Sequence, residues 1–247
     1  MAYTLKKNTA NRKNYGSARA TSKIKYIVIH YTANDGDTDE ANAKYFRNNV
    51  VKSSAHYFVD DDSVTQSVPD NYTAWAVGGS RWSNYRTTGG AKYYGKCTNT
   101  NSLSVELCDD IKDGVIYPSA KTIENAVELV KSLMAKYNIP AENVIRHFDV
   151  TGKNCPAYWV DSIKWNTEFK SKLTGVKVTE PVVTNEFKVK VKVDALNVRA
   201  GAGTKYKINS VITNKGIYTI TETKGNWGKL KSGAGWINIS ASYVTRV

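Results

Sequence analysis

Ile24-Lys25-Tyr26-Ile27-Val28-Ile29-His30 is the stretch from which the fold is read. Its β-branched and aromatic residues predict a buried strand. The strand closes on a histidine, and strand ends aim side chains into a cleft. Working outward, Asp39-Glu40-Ala41 open a short helix to about Asn48, with acids in its first turn. Residues 54–60 predict a second strand, turned by the Asp-rich 60–63 and returned by 64–68 as a hairpin. Residues 70–100, rich in Gly, Asn, Ser, Tyr and Trp, read as a long surface loop of the kind kept for function. Leu103 to Leu107 is a further strand. Ile123, Ala126, Val127, Val130, Leu133, Met134 and Tyr137 recur at helical spacing and predict a helix over 119–138, ended by Asn138-Ile139-Pro140. Val144-Ile145 is a short strand leading to His147, and a last helix covers 160–173. This order predicts an α/β domain, a mixed central sheet flanked by helices, over residues 1–173.

Residues 174–186, with one Pro, one Gly and several Thr, predict a linker. After them Phe187 to Val193 alternates strictly between apolar and Lys. Short strands at 208–212, 216–223, 226–230 and 234–238, punctuated by glycines, predict a small all-β barrel over 187–247.

Composition narrows the class. The chain has 247 residues, 41% of them apolar, enough for one large or two smaller packed domains. The net charge of +13 favours polyanionic partners: nucleic acid, anionic membrane or acidic wall polymers. Charge alone does not choose among them, and no nucleic-acid motif accompanies it. Three cysteines are an odd count, which argues against a disulfide framework. Cys97 and Cys108 have the freedom to pair but read as buried free thiols. No apolar core follows Lys6 and Lys7, so no signal peptide is expected. No apolar run approaches the roughly 20 residues of a membrane span. The expected protein is a soluble monomer, made in the cytoplasm and not inserted in a membrane.

The chemistry starts from three histidines, His30, His56 and His147. A lone strand histidine is ordinarily structural. The segment Arg146-His147-Phe148-Asp149-Val150-Thr151-Gly152-Lys153-Asn154-Cys155-Pro156 changes that, because imidazole and thiolate are both good zinc ligands and a Gly-containing turn separates them. His30 would complete three protein ligands with an open fourth position, the arrangement of a catalytic rather than a structural zinc. Cys97 and Cys108 lack the spacing to supply a fourth ligand.

Ile27-Val28-Ile29-His30-Tyr31-Thr32, Ser54-Ala55-His56-Tyr57, Asn101-Ser102-Leu103-Ser104-Val105-Glu106-Leu107 and His147-Phe148-Asp149 leading to Lys153-Asn154-Cys155-Pro156 occur in that order. Over about residues 20–173 this resembles the zinc-dependent N-acetylmuramoyl-L-alanine amidases of phage lysins, autolysins and peptidoglycan recognition proteins. The resemblance implies His30, His147 and Cys155 as ligands of Zn2+, Lys153 as a cation near the reacting carbonyl, and Glu106 as the acid/base. Ala55 stands where some members carry a tyrosine, so no catalytic tyrosine is expected there. His56 and Trp75 are expected to contact substrate. The tail, with Leu196-Asn197-Val198-Arg199-Ala200-Gly201, Trp227-Gly228-Lys229-Leu230 and Gly235-Trp236-Ile237, is similar to a bacterial SH3-like wall-binding domain. Its Tyr206, Tyr218, Trp227 and Trp236 are either groove residues or core. The implied partner is peptidoglycan of a Gram-positive wall, with wall teichoic acids as a further attraction. The missing signal peptide favours a phage-type endolysin, released to the wall with a holin's help, over an autolysin. A non-catalytic peptidoglycan-binding protein on the same fold is the rival, and such proteins lose a zinc ligand.

Overall fold

The structure is a computed structural model that describes residues 3–112, 115–174 and 186–247. The chain divides into two compact units, Met1–Val178 and Thr179–Val247. The first runs β1 (Thr4–Lys7), β2 (Tyr15–Ala18), β3 (Tyr26–Asp35), α1 (Asp39–Asn48), β4 (Tyr57–Val59), β5 (Ser63–Gln66), β6 (Tyr72–Ala74), α2 (Tyr85–Thr88), β7 (Ser102–Lys112), β8 (Val115–Tyr117), α3 (Ala120–Tyr137), β9 (Val144–Arg146), α4 (His147–Thr151), α5 (Ser162–Trp165) and α6 (Ser171–Thr174). The main sheet has the order β1-β5-β4-β7-β3-β9, with β8 attached to β7. β3 lies parallel to both β7 and β9, while β4 and β5 form an antiparallel hairpin. The sheet is therefore mixed, and helices pack on it, as the α/β reading requires.

Alternation along the strands sorts side chains between two faces. Ile27 and Ile29 of β3 and Leu103, Val105 and Leu107 of β7 join Ile123, Ala126, Val130 and Leu133 of α3 in the largest core, which Trp159, Trp165 and Phe169 extend. Val28 instead packs with Val77, Cys97, Ile145 and Val150 in a second cluster. His30 and Glu106 share the parity of Val28 and so face away from α3. The Ser119 hydroxyl accepts from Thr122 N–H and caps α3, which ends with Asn138 in the left-handed region.

Several elements differ from the sequence expectation. The second strand begins at Tyr57, leaving His56 just outside it. The 70–100 loop contains β6, which pairs with β2 across more than 50 residues of chain. Such a pairing depends on a partner that no local pattern announces. The expected helix at 160–173 is broken into α5, a π-turn over Asn166–Lys170 and α6. All three cysteines are free and buried, with burial pushing the Cys97 thiol up to about 12.

The second unit contains β10 (Phe187–Val191), β11 (Leu196–Arg199), β12 (Ile208–Ile212), β13 (Ile217–Lys224), β14 (Trp227–Leu230), β15 (Trp236–Asn238) and β16 (Val244–Arg246). They form one antiparallel sheet, ordered β12-β11-β15-β14-β13-β10-β16, consistent with an SH3-like domain. Its own core holds Val189, Val191, Leu196, Val198, Ile220, Leu230, Ile237 and Val244. Of the expected linker, residues 175–185 lie outside the described residues. Among the described residues no helix is long and apolar enough to cross a membrane.

Gly235 is fixed by its surroundings: φ is +140°, and a Cβ there would stand 2.3 Å from the Arg199 carbonyl oxygen. Gly235→Ala is expected to destabilise the second unit by about 2 kcal/mol or more. Calorimetry should show its transition moving down while that of the first unit stays.

Candidate active site

The site is assembled from strand ends. In the β3–β7 register His30 stands opposite Glu106, and β9 delivers Arg146 opposite Ile29 on the other side of β3. The chain then turns directly into α4, whose first residue is His147. A buried ion pair shapes this turn. The Arg146 guanidinium donates to both Asp149 carboxylate oxygens, at 2.7 and 2.9 Å, and to the carbonyls of Trp159 and Val160 at 2.6 and 3.0 Å. Asp149 also accepts from the Arg146 backbone N–H at 2.9 Å. Phe148 N–H donates to the Cys155 carbonyl at 2.8 Å. The helix start and the segment returning through Cys155 are thereby tied together.

His30, His147 and Cys155 converge, with one ligand-type atom from each within 4.8 Å of the others. The two imidazole centroids are 4.7 Å apart, and Cys155 Sγ is 3.8 Å from His30 Nδ1. All three residues are buried. His30 Nε2, His147 Nδ1 and Glu106 Oε2 are buried without a hydrogen-bond partner among the described residues. Buried polar atoms are normally paired, so the unpartnered His147 Nδ1 in the cluster and Glu106 Oε2 beside it mark a place where a bound ion or substrate would satisfy them. Burial, reinforced by Lys153, holds the imidazoles neutral: His147 is lowered to about 4, and His30 is held well below the usual histidine range. Neutral imidazole is the form with a lone pair to give a metal. Burial pushes the Cys155 thiol up, which makes it a poor free nucleophile. These three residues could hold a metal ion.

Glu106 stands beside them, Oε1 3.8 Å from His30 Nδ1. Burial raises it to about 8, against the pull of Lys153. Lys153 is exposed at the rim, and with Glu106, His30, His147 and Cys155 it lines a cavity of about 220 Å³. Two larger arms open from this floor. One, of about 500 Å³, runs past His147 and Lys153 between Trp75, Trp82 and Lys52. The other, of about 810 Å³, runs past Glu106 and Tyr31 along α1.

The structure thus brings together His30, His147, Cys155, Glu106, Lys153 and Trp75. It does not bring His56 to the cleft. That histidine is fully buried, and its Nδ1 accepts from Ser104 N–H at 3.0 Å. Nε2 therefore carries the proton and faces the Tyr72 carbonyl at 3.2 Å, with an Arg19 nitrogen at 3.0 Å. Burial and Arg19 lower it to about 3, so it is a neutral packing element and not a substrate contact. Its neighbour Tyr57 also points inward, donating to Asp70 at 2.6 Å. In the second unit, Trp227 and Trp236 alternate with buried Gly228, Leu230 and Ile237 and so lie on the outer face, while Tyr206 covers Gly201 and is 41% exposed. None of these three belongs to the core, whereas Tyr218 packs against it.

Sequence reasoning missed Arg146, Lys52 and Trp82. The Arg146-His147-Phe148-Asp149 spacing held a signal for the first, since residues i and i+3 meet on a helical turn.

Comparison with known proteins follows this geometry. A family model described as N-acetylmuramoyl-L-alanine amidase matches residues 20–158. The N-acetylmuramoyl-L-alanine amidase CwlL of Bacillus licheniformis is 34% identical over 158 residues, 62% of this chain but only 41% of that relative's length. Among solved structures, the catalytic domain of PlyG is 32% identical with a TM-score of 0.55, covering 72% of this chain and 99% of that one. A mutant endolysin from Bacillus subtilis is 30% identical with a TM-score of 0.53, covering 69% and 99%.

The Arg146–Asp149 pair gives a direct test of how the site is held. Asp149→Ala leaves a buried guanidinium without its counterion and should cost about 3–5 kcal/mol in urea denaturation. A loss below about 1 kcal/mol would show that the turn is held by something else.

Proposed function

Since this chain belongs to the N-acetylmuramoyl-L-alanine amidase family, we propose that it hydrolyses the amide bond between N-acetylmuramic acid and the L-alanine of the peptidoglycan stem peptide. The observation that carries this reading is the buried His30–His147–Cys155 cluster on the floor of an open cleft, with Glu106 and Lys153 beside it. The donor set suits zinc: two neutral imidazoles and one sulfur. Bonds of about 2.0–2.3 Å put neighbouring ligand atoms roughly 3.5 Å apart, close to the 3.8 Å between Cys155 Sγ and His30 Nδ1. A bound zinc supplies Lewis acidity at the carbonyl and makes water acidic enough to attack near neutral pH.

The chain's own residues do the rest. Glu106 takes the proton of the attacking water and returns it to the leaving amine. Burial raises its carboxyl toward neutrality, where a single group can both accept and release a proton. Lys153, exposed at the rim of the same cavity, places a cation where the carbonyl oxygen gains negative charge. Trp75 offers a flat apolar wall next to His147 for the substrate body. The outward-facing Tyr206, Trp227 and Trp236 give the second unit a surface for wall binding, and the excess of basic residues draws the chain to acidic wall polymers such as teichoic acids.

Digestion of purified Gram-positive wall should release new N-terminal alanine without new reducing sugars, and a chelator should abolish this. New reducing ends alone would sink the amidase reading. Glu106→Gln should keep one equivalent of bound zinc and lose about 10²–10⁴-fold in kcat. Cys155→Ala should lose the metal itself.

A further inference from the structure

Lys52 is placed at the cleft by a device that nothing in the reaction described above requires. Among the described residues it is one of four non-glycine residues with positive φ, at +52°. For an ordinary side chain that conformation persists only where the surroundings over-determine it, and such residues concentrate at functional sites. Here the surroundings are Asn14, which is fully buried. Its amide nitrogen donates to the carbonyls of Phe46 and Asn49, both at 2.7 Å, at the C-terminal end of α1. Its side-chain oxygen accepts from Val51 N–H at 2.8 Å and Lys52 N–H at 3.0 Å. One internal amide thus locks the turn after α1 and fixes where residue 52 leaves the backbone.

The position it is held in is the mouth of the 500 Å³ arm. That arm is lined by Lys52, Ser53, Trp75, Ser80, Trp82 and the reaction-centre residues His147 and Lys153, among others. Its charged lining is Lys52 and Lys153, with no carboxylate. Among the described residues Lys52 forms no ion pair. The opposite arm carries Asp35, Asp37 and Glu106, and Lys153 is shared by both arms, so Lys52 is the cation that belongs to the first arm alone. Lys52, which forms no ion pair among the described residues, flanked by hydroxyls in an arm that reaches the reaction centre, suits an anionic group of the substrate.

We propose that Lys52 binds a carboxylate of the stem peptide, so that the peptide side of the substrate, not the glycan side, enters the Trp75–Trp82 arm. This rests on the amidase reading above. Beside the scissile bond the glycan offers hydroxyl and acetamido groups only. The carboxylates lie on the peptide side, and the first of them belongs to the residue that follows L-alanine. Lys52 therefore distinguishes a stem in which that carboxylate is free from one in which it is amidated. It acts by binding and takes no part in proton transfer.

The test compares two muramyl peptides that differ only at this group, N-acetylmuramoyl-L-alanyl-D-isoglutamate and its D-isoglutamine counterpart, each extended by the same remaining stem residues. Full-length wild type, Lys52→Met and Lys52→Arg are assayed on both. Lys52→Met should lower the carboxylate-to-carboxamide ratio of kcat/KM about three- to tenfold, through KM. Lys52→Arg should keep the wild-type ratio. Equal losses on both peptides, or none on either, would overturn the assignment while leaving the amidase reading standing. Failure of the wild type to cleave either peptide would overturn both. Thermal denaturation of Lys52→Met should match wild type, because the side chain is exposed.

Discussion

The parallel pairing of β3 with β7 is the constraint on which the rest depends. In this register Tyr26 meets Ser102 and His30 meets Glu106. A slip of β3 by one residue would turn His30 into the α3 core and Ile29 into the cleft, and would take His30 away from Glu106. Apolar burial prevents the slip: Ile27, Ile29, Leu103, Val105 and Leu107 are each inaccessible to solvent. Each such side chain contributes about 1.5–3 kcal/mol when buried. The chemical pair is thus aligned by residues on the opposite face that take no part in chemistry.

The same burial sets the chemical character of the site. Low polarity around His30 and His147 keeps both imidazoles neutral, and around Cys155 it keeps the thiol protonated. Glu106 is raised by the same cause, with the carboxylates of Asp109 and Asp37 adding to it. One environment therefore yields neutral imidazoles with lone pairs free, a thiol that gives up its proton only to a bound cation, and a carboxyl group raised toward neutrality. The unpaired buried atoms on His147 and Glu106 carry a desolvation penalty that a bound cation or substrate would relieve.

Buried polar clamps extend this control to the irregular segments. Arg146 grips Asp149 and two carbonyls beyond Cys155. Arg19 donates to the carbonyls of Asp70 and Asn99, pinning both ends of the 70–100 segment. Asp109 accepts from Ala33 N–H at 3.0 Å, supporting a left-handed residue in the bulge that ends the β3–β7 pairing. Cleft walls made of loop are in this way fixed to the sheet by a few fully enclosed side chains.

The sequence by itself determined the elements with strong periodicity and the residues with distinctive chemistry. The apolar run before His30, the long amphipathic α3, the alternating Phe187–Val191 and the His147–Cys155 segment are local patterns, and local patterns are what a linear reading detects. The convergence of His30, His147 and Cys155 was legible because few residue types can serve as metal ligands. The tertiary structure alone decided the rest. It took His56 out of the cleft, because its ring nitrogens are paired with Ser104 N–H and the Tyr72 carbonyl, groups that only folding brings near. It paired β2 with β6, a pairing set by a partner distant in sequence, and it broke the helix after residue 160 at a π-turn. It placed Lys52 in the same arm as Trp82, on a turn fixed by Asn14, whose four hydrogen bonds join two segments more than 30 residues apart. A buried amide looks like any other asparagine in a sequence, because its meaning lies in the partners that close around it.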